Sequence, residues 1–100
     1  MTYSIQLLPQ ARTDLQEIMA YYKERKKGLD ARFFKHLVAS IRLLHSNPLI
    51  FQVRYKRVRQ APIKKFPFWI HYLVDEQQQQ VAIIAVLHSA RDPRNWMERV

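Results

Sequence analysis

The chain has 100 residues, with 17 Lys and Arg against 8 Asp and Glu and a formal net charge of +9, which leaves room for one domain (1–100) and one hydrophobic core. It has no cysteine, which excludes a disulfide framework and a Cys-based metal site. No uncharged apolar run approaches the ~20 residues needed to span a bilayer, and Met1-Thr2-Tyr3-Ser4-Ile5 lacks the basic-then-apolar order of a signal peptide. The expected location is therefore the cytoplasm, without membrane association. So positive a surface attracts nucleic acid or an acidic protein; a basic but inert surface is the alternative.

Tyr3, Ile5 and Leu7 alternate with Ser4 and Gln6 and predict a short strand with one buried face. Pro9 ends it and suits the first turn of a helix. Ala11 to about Lys27 reads as that helix, with Ala11, Leu15, Ile18, Met19 and Tyr22 in one apolar stripe. Asp14 and Glu17 lie early and Lys23, Arg25, Lys26 and Lys27 late, an order that suits the helix dipole. Gly28, the only glycine, is a natural stop. Asp30 to about Ser46 reads as a second helix with Phe33, Phe34, Leu37, Ile41 and Leu44 as its core face, ended by Asn47-Pro48.

Leu49 to Arg57 reads as a loop leading into a strand near Val58–Lys65. Pro62 places that strand at an edge or a bulge. Phe68–Asp75 and Val81–His88 are short runs rich in β-branched and aromatic residues, joined by Glu76 and four glutamines, and predict a hairpin. The second run is apolar on both faces and should lie deep in the sheet. The expected order is β-α-α-β-β-β: an α+β domain in which a helical hairpin packs on a mostly antiparallel four-stranded sheet.

Several stretches carry possible chemistry. Between Gln52 and Lys65 there are six basic residues and no acidic one: Arg54, Lys56, Arg57, Arg59, Lys64 and Lys65. They supply cations to an anionic target, or else form the solvated face of an edge strand. Trp69 and His71 share one strand face; Trp69 could stack a base or belong to the core. His36, His45, His71 and His88 show no metal-ligand spacing, so neither metal nor cofactor is expected. In Arg91-Asp92-Pro93, Arg91 and His88 present themselves to a target, or Asp92, Pro93 and Trp96 form a structural turn.

Taken together, several of these stretches resemble the RelE/ParE superfamily of bacterial toxins. Asp14-Leu15-x-x-Ile18-x-x-Tyr21-Tyr22, Gly28-Leu29-x-x-Arg32-Phe33 and Tyr55-x-x-Val58-Arg59 are similar to its opening segments. Phe66-Pro67-Phe68-x-Ile70-x-Tyr72 and Val86-Leu87-His88-x-x-Arg91-Asp92-Pro93-x-x-Trp96 resemble its ParE-like branch. The resemblance implies the toxin of a type II toxin–antitoxin, plasmid stabilisation-like pair, bound by a small acidic antitoxin, perhaps as a hetero-oligomer in form and always as a partner in function. ParE-like members inhibit DNA gyrase and are not enzymes; RelE-like members cut messenger RNA on the ribosome.

Metal-free RNA cleavage needs a base for the 2′-hydroxyl, cations for the phosphorane charge and an acid for the leaving oxygen. Arg59, Lys64, Lys65, His88, Arg91 and Tyr55 are the candidates. Cleaving members carry an arginine in the strand that here reads Phe68-Trp69-Ile70-His71-Tyr72, and a tyrosine near the C-terminus, where this chain ends Trp96-Met97-Glu98-Arg99-Val100. These departures favour gyrase inhibition. Arg54, Lys56, Arg57, Arg59, Lys64, Lys65 and Arg91 are then the expected target contacts. Ribosome-dependent mRNA cleavage is the alternative, and a non-toxic antitoxin-binding module the second.

Overall fold

The computed structural model describes residues 2–90. Strand β1 (Ser4–Leu7) leads into helices α1 (Pro9–Arg25) and α2 (Leu29–Ser46), followed by β2 (Val53–Tyr55), β3 (Val58–Pro62), β4 (Phe68–Asp75) and β5 (Gln80–His88). The strands form one sheet in the order β1-β5-β4-β3-β2. All neighbours are antiparallel except β1 and β5, which run parallel with Ser4 opposite Gln80 and Leu7 opposite Ile83. The sheet therefore has five strands where the sequence predicts four. The additional one is Val53–Tyr55, too short and too irregular to show an alternation, since its pairing with β3 shifts register between Val53 and Tyr55. The strand expected to reach Lys65 stops at Pro62, because residues 63–66 close a turn through Phe66 N–H donating to Ile63 O. On its β2 side Pro62 faces no strand, as β2 reaches only Arg59, so its missing N–H costs nothing.

Both helices cover one sheet face. Ala11, Leu15 and Ile18 of α1 and Phe33, Leu37 and Leu44 of α2 bury themselves against Ala61, Ile63, Ile70, Tyr72, Val81, Ile83 and Val86. Phe33 sits in an aromatic nest, its ring centroid 5.5 Å from Tyr22, 5.2 Å from Phe66 and 6.0 Å from Phe68. Phe34, expected in the core, is instead 51% exposed. Phe33, Leu37 and Leu44 define the buried stripe, and at 3.6 residues per turn Phe34 is rotated about 100° away from Phe33.

The opposite sheet face buries Val58, Ile84, Ala85 and Leu87, with Leu8, Tyr55 and Leu73 packed against them. Its shape depends on a β-bulge. His71 is opposite Ala85 and Tyr72 opposite Ile83, so Ile84 is the extra residue. Ile84 and its neighbour Ala85 consequently share a face, and the alternation resumes with Val86 on the helix side. This two-sided burial places β5 inside the sheet, as its apolar sequence predicts.

Three polar contacts lock the elements together. Tyr3 N–H donates to His45 O at 2.8 Å, and the His45 ring Nδ1 donates back to Tyr3 O at 2.6 Å, tying the start of β1 to the end of α2. Gly28 takes φ +83° between the helices, a left-handed conformation that a side chain would strain. The Tyr72 hydroxyl, on a fully buried ring, donates to Pro48 O at 2.7 Å.

Burial, partly offset by the Arg59 guanidinium, pushes the Tyr72 hydroxyl up to about 12. An unfolded tyrosine titrates near ~10, so the folded state holds this proton more tightly. The stabilisation is complete below pH ~10 and is lost as pH rises through the folded value, amounting to roughly 2 kcal/mol by pH ~12. Urea midpoints of the wild type and Tyr72→Phe between pH 9 and 12 should therefore converge as pH rises, with the wild type falling more steeply. Burial also raises Tyr22, with Tyr21 beside it adding to the shift, but that contribution is common to both proteins.

Candidate functional site

The six cations of the stretch 52–65 are close in sequence and divided in space. Arg54 lies on β2, and Lys56 and Arg57 form the tip of the β2–β3 hairpin. Lys64 and Lys65 form the turn at the other end of β3. The five residues of β3 between the two tips span about 17 Å at ~3.4 Å per residue. Arg59 belongs to neither group. It stands opposite Tyr72 on the helix side of the sheet, half-buried, and its Nη1 donates to Phe51 O at 2.6 Å. That bond clamps the connection between α2 and β2, so Arg59 has a fastening role that the sequence pattern does not reveal. Arg91 lies outside the described residues, together with Asp92, Pro93 and Trp96.

Both lysine-bearing tips are conformationally strained. Lys56 has φ +48° and Lys65 has φ +70°, a region that costs a non-glycine residue on the order of 1 kcal/mol. Their side chains are exposed.

On the sheet face away from the helices, the Tyr55 hydroxyl and His71 Nδ1 lie 3.0 Å apart, with ring centroids 5.8 Å apart. His71 is only 2% exposed. Trp69, opposite Leu87 across the strands, is half-buried on that same face. Tyr55 and His71 thus form a polar pair set into an apolar surface, and the imidazole is shielded by its surroundings.

His88 is different. It ends β5, is exposed, and rests its ring edge-on against Phe68 at 5.5 Å. Its Nδ1 accepts from Ala90 N–H at 3.1 Å, while Ser89 N–H donates to Pro67 O at 2.8 Å. These bonds fix the end of the strand beside the Lys64–Lys65 turn. Tyr21 and Arg25 of α1 border the same end, across an open groove that also takes in Pro67 and Phe68. Arg25, Lys64, Lys65 and His88 therefore share one end of the molecule, and Arg54, Lys56 and Arg57 occupy the other.

Asp14 is a buried residue that charge patterning misassigns. It does not serve the helix dipole; the first turn of α1 has no acidic residue. Its Oδ2 accepts from Val86 N–H at 3.0 Å, and its Oδ1 accepts from Gln10 Nε2 at 3.3 Å. β1 pairs with β5 only as far as Leu7 and Ile83, so Asp14 satisfies a strand amide that β1 no longer reaches. The signal was present: Asp14 falls between Ala11 and Ile18 on the buried stripe of α1.

Among the described residues, no group of three or more His, Asp or Glu side chains is arranged to hold a metal ion, and no helix is long and apolar enough to cross a membrane. No curated protein matches the chain significantly in sequence. Solved structures match its fold. The chromosomal ParDE toxin–antitoxin system of P. aeruginosa contains a chain with TM-score 0.71 at 17% identity, over 87% of this chain and 96% of that one. The RelBE2 toxin–antitoxin complex of Mycobacterium tuberculosis gives TM-score 0.59 at 18% identity, over 88% and 99%. The archaeal RelE–RelB complex of Pyrococcus horikoshii OT3 gives 0.60 at 14% identity, over 92% and 100%. At the level of sequence family, the ParE toxin of the type II toxin–antitoxin system parDE matches residues 5–93. With nearly the whole β-α-α-β-β-β-β framework inside that match, the chain belongs to the ParE toxin family of type II toxin–antitoxin systems.

Proposed function

We propose that this toxin acts in the cytoplasm by inhibiting DNA gyrase and is held silent by a cognate acidic antitoxin. The observation that carries this reading is the match to the ParE family across residues 5–93, the branch whose resemblance implies gyrase inhibition. The placement of the side chains supports it. Phosphoryl-transfer chemistry on RNA needs an acid, a base and cations converging within hydrogen-bond reach of one phosphate. Among the described residues, the cations of the basic stretch divide between two ends of β3, Arg59 is fastened to Phe51 O, and His71 is buried. A protein-binding role needs only complementary surfaces, and a strongly positive toxin suits an acidic neutralising partner.

The second reading, ribosome-dependent mRNA cleavage, draws on one feature: His88 is exposed at the same end as Lys64 and Lys65. A gyrase supercoiling assay with purified toxin separates the two. The expected result is loss of supercoiling, restored when the acidic protein encoded beside the toxin gene is added. Intact gyrase activity together with cut messages in a translating extract would replace gyrase by the ribosome. Neither effect, with antitoxin binding retained, would identify a non-toxic binding module.

A further inference from the structure

The groove bordered by α1, Pro67 and the end of β5 has a volume of about 500 Å³, and the gyrase and ribosome readings leave it without a role. Its floor is aromatic, formed by Tyr22 and Phe68, whose ring centroids lie 6.2 Å apart and edge-on. Tyr21 stands at its border, 52% exposed. The Arg25 guanidinium carbon lies 5.0 Å from the centre of the Tyr21 ring, and the Tyr22 ring meets Tyr21 edge-on at 5.6 Å. An exposed tyrosine held between an arginine and a second ring has already lost much of its rotamer freedom, so binding there costs less ordering entropy. Tyrosine and arginine are also the side chains most often found to dominate interface energetics.

We propose that this groove receives an apolar anchor side chain from an acidic segment of the antitoxin. The inference rests on the toxin–antitoxin reading above and names the part of the toxin that its partner grips. Charge complementarity selects the occupant. The last turn of α1 carries Lys23 and Arg25, Lys26 and Lys27 follow it, and the Lys64–Lys65 turn stands two residues before Pro67. Acidic residues flanking the anchor would meet these cations. Glu17 lines the groove itself, which disfavours a phosphate backbone lying along it, whereas an apolar side chain is indifferent to a carboxylate on the wall. Lys65 adds an independent sign. It holds φ +70°, where glycine would relax the backbone, so the position retains its cation against the conformational preference of the turn.

The test uses full-length toxin and the acidic protein encoded by the adjacent reading frame, with dissociation constants from titration calorimetry. Wild-type toxin that forms no complex would sink the toxin–antitoxin reading itself. Given a complex, Tyr21→Ala and Arg25→Glu should each weaken it by about 30-fold or more. Phe34→Ala, an equally exposed aromatic outside the groove, should stay within about twofold, as ordinary surface substitutions do. Lys65→Gly should weaken binding while raising the melting temperature, a combination that a merely structural role does not produce. Affinities of Tyr21→Ala and Arg25→Glu within about twofold of wild type, in protein with an unchanged melting temperature, would overturn the proposal. So would a change confined to oligonucleotide binding or to self-association, which would give the groove to nucleic acid or to a second copy.

Discussion

Phe33→Ala should destabilise the protein by about 3–5 kcal/mol, the largest single-site loss expected in the fold. Phe33 is fully buried and is the point at which α2 meets α1 and the sheet together. Its ring makes edge-on contacts with Phe66 and Phe68 and a tilted one with Tyr22. Truncation removes the apolar transfer energy of the ring, leaves a cavity, and deletes three aromatic pairings, each worth ~0.5–1.5 kcal/mol beyond area burial. The surrounding rings are anchored on three different elements and cannot all collapse inward. Urea denaturation measures the effect directly. Phe34→Ala, one residue away, is the matched control: its side chain is half in solvent, and its cost should stay below about 1 kcal/mol. Equal losses at the two positions would mean that the packing face of α2 has been misassigned.

Asp14→Ala should cost about 2–3 kcal/mol. The carboxylate accepts the Val86 amide from inside the protein, and hydrogen bonds to charged groups are worth ~1.5–3 kcal/mol. Without it, the amide stays buried with its strand partner already gone, because β1 ends opposite Ile83. Relief of the carboxylate's own desolvation offsets part of the loss. Asp14→Asn keeps an acceptor oxygen of similar reach and should recover about half of the stability. Amide hydrogen exchange provides a local readout: Val86 should lose protection in Asp14→Ala before its neighbours in β5 do. Unchanged protection at Val86 would show that the Asp14 contact is not what closes this part of the strand.

The helices, the central hairpin and the depth of β5 were legible in the sequence because each carries a periodicity longer than its noise. Val81–His88 is apolar at nearly every position, which only a strand covered on both faces can accommodate. β2 escaped notice because three residues with an irregular register have no period to read. Phe34 was misplaced because residue type outweighed angle: Phe33, Leu37 and Leu44 alone set the stripe. Asp14 was read as a surface charge, although its spacing from Ala11 and Ile18 put it among buried residues.

The candidate site was legible only as composition. Six cations in fourteen residues look like one patch, but a strand converts sequence proximity into distance and sorts side chains between two faces. Arg59 went to the helix side and found a backbone carbonyl, which no pattern of charges encodes. The groove beside His88 was invisible for a related reason: Tyr21, Arg25, Pro67 and His88 are dispersed along the chain and meet only once the sheet and α1 are assembled.

The parallel pairing of β1 with β5 sets an order on synthesis. Tyr3 to Leu8 leave the ribosome first, yet the backbone partners that complete their ladder, from Gln79 to Ile83, come nearly last. Long-range closure of this kind is slow relative to local helix formation. A half-made toxin therefore has its helices but lacks the edge that completes the sheet, and it reaches a harmful shape only after almost the whole message has been read.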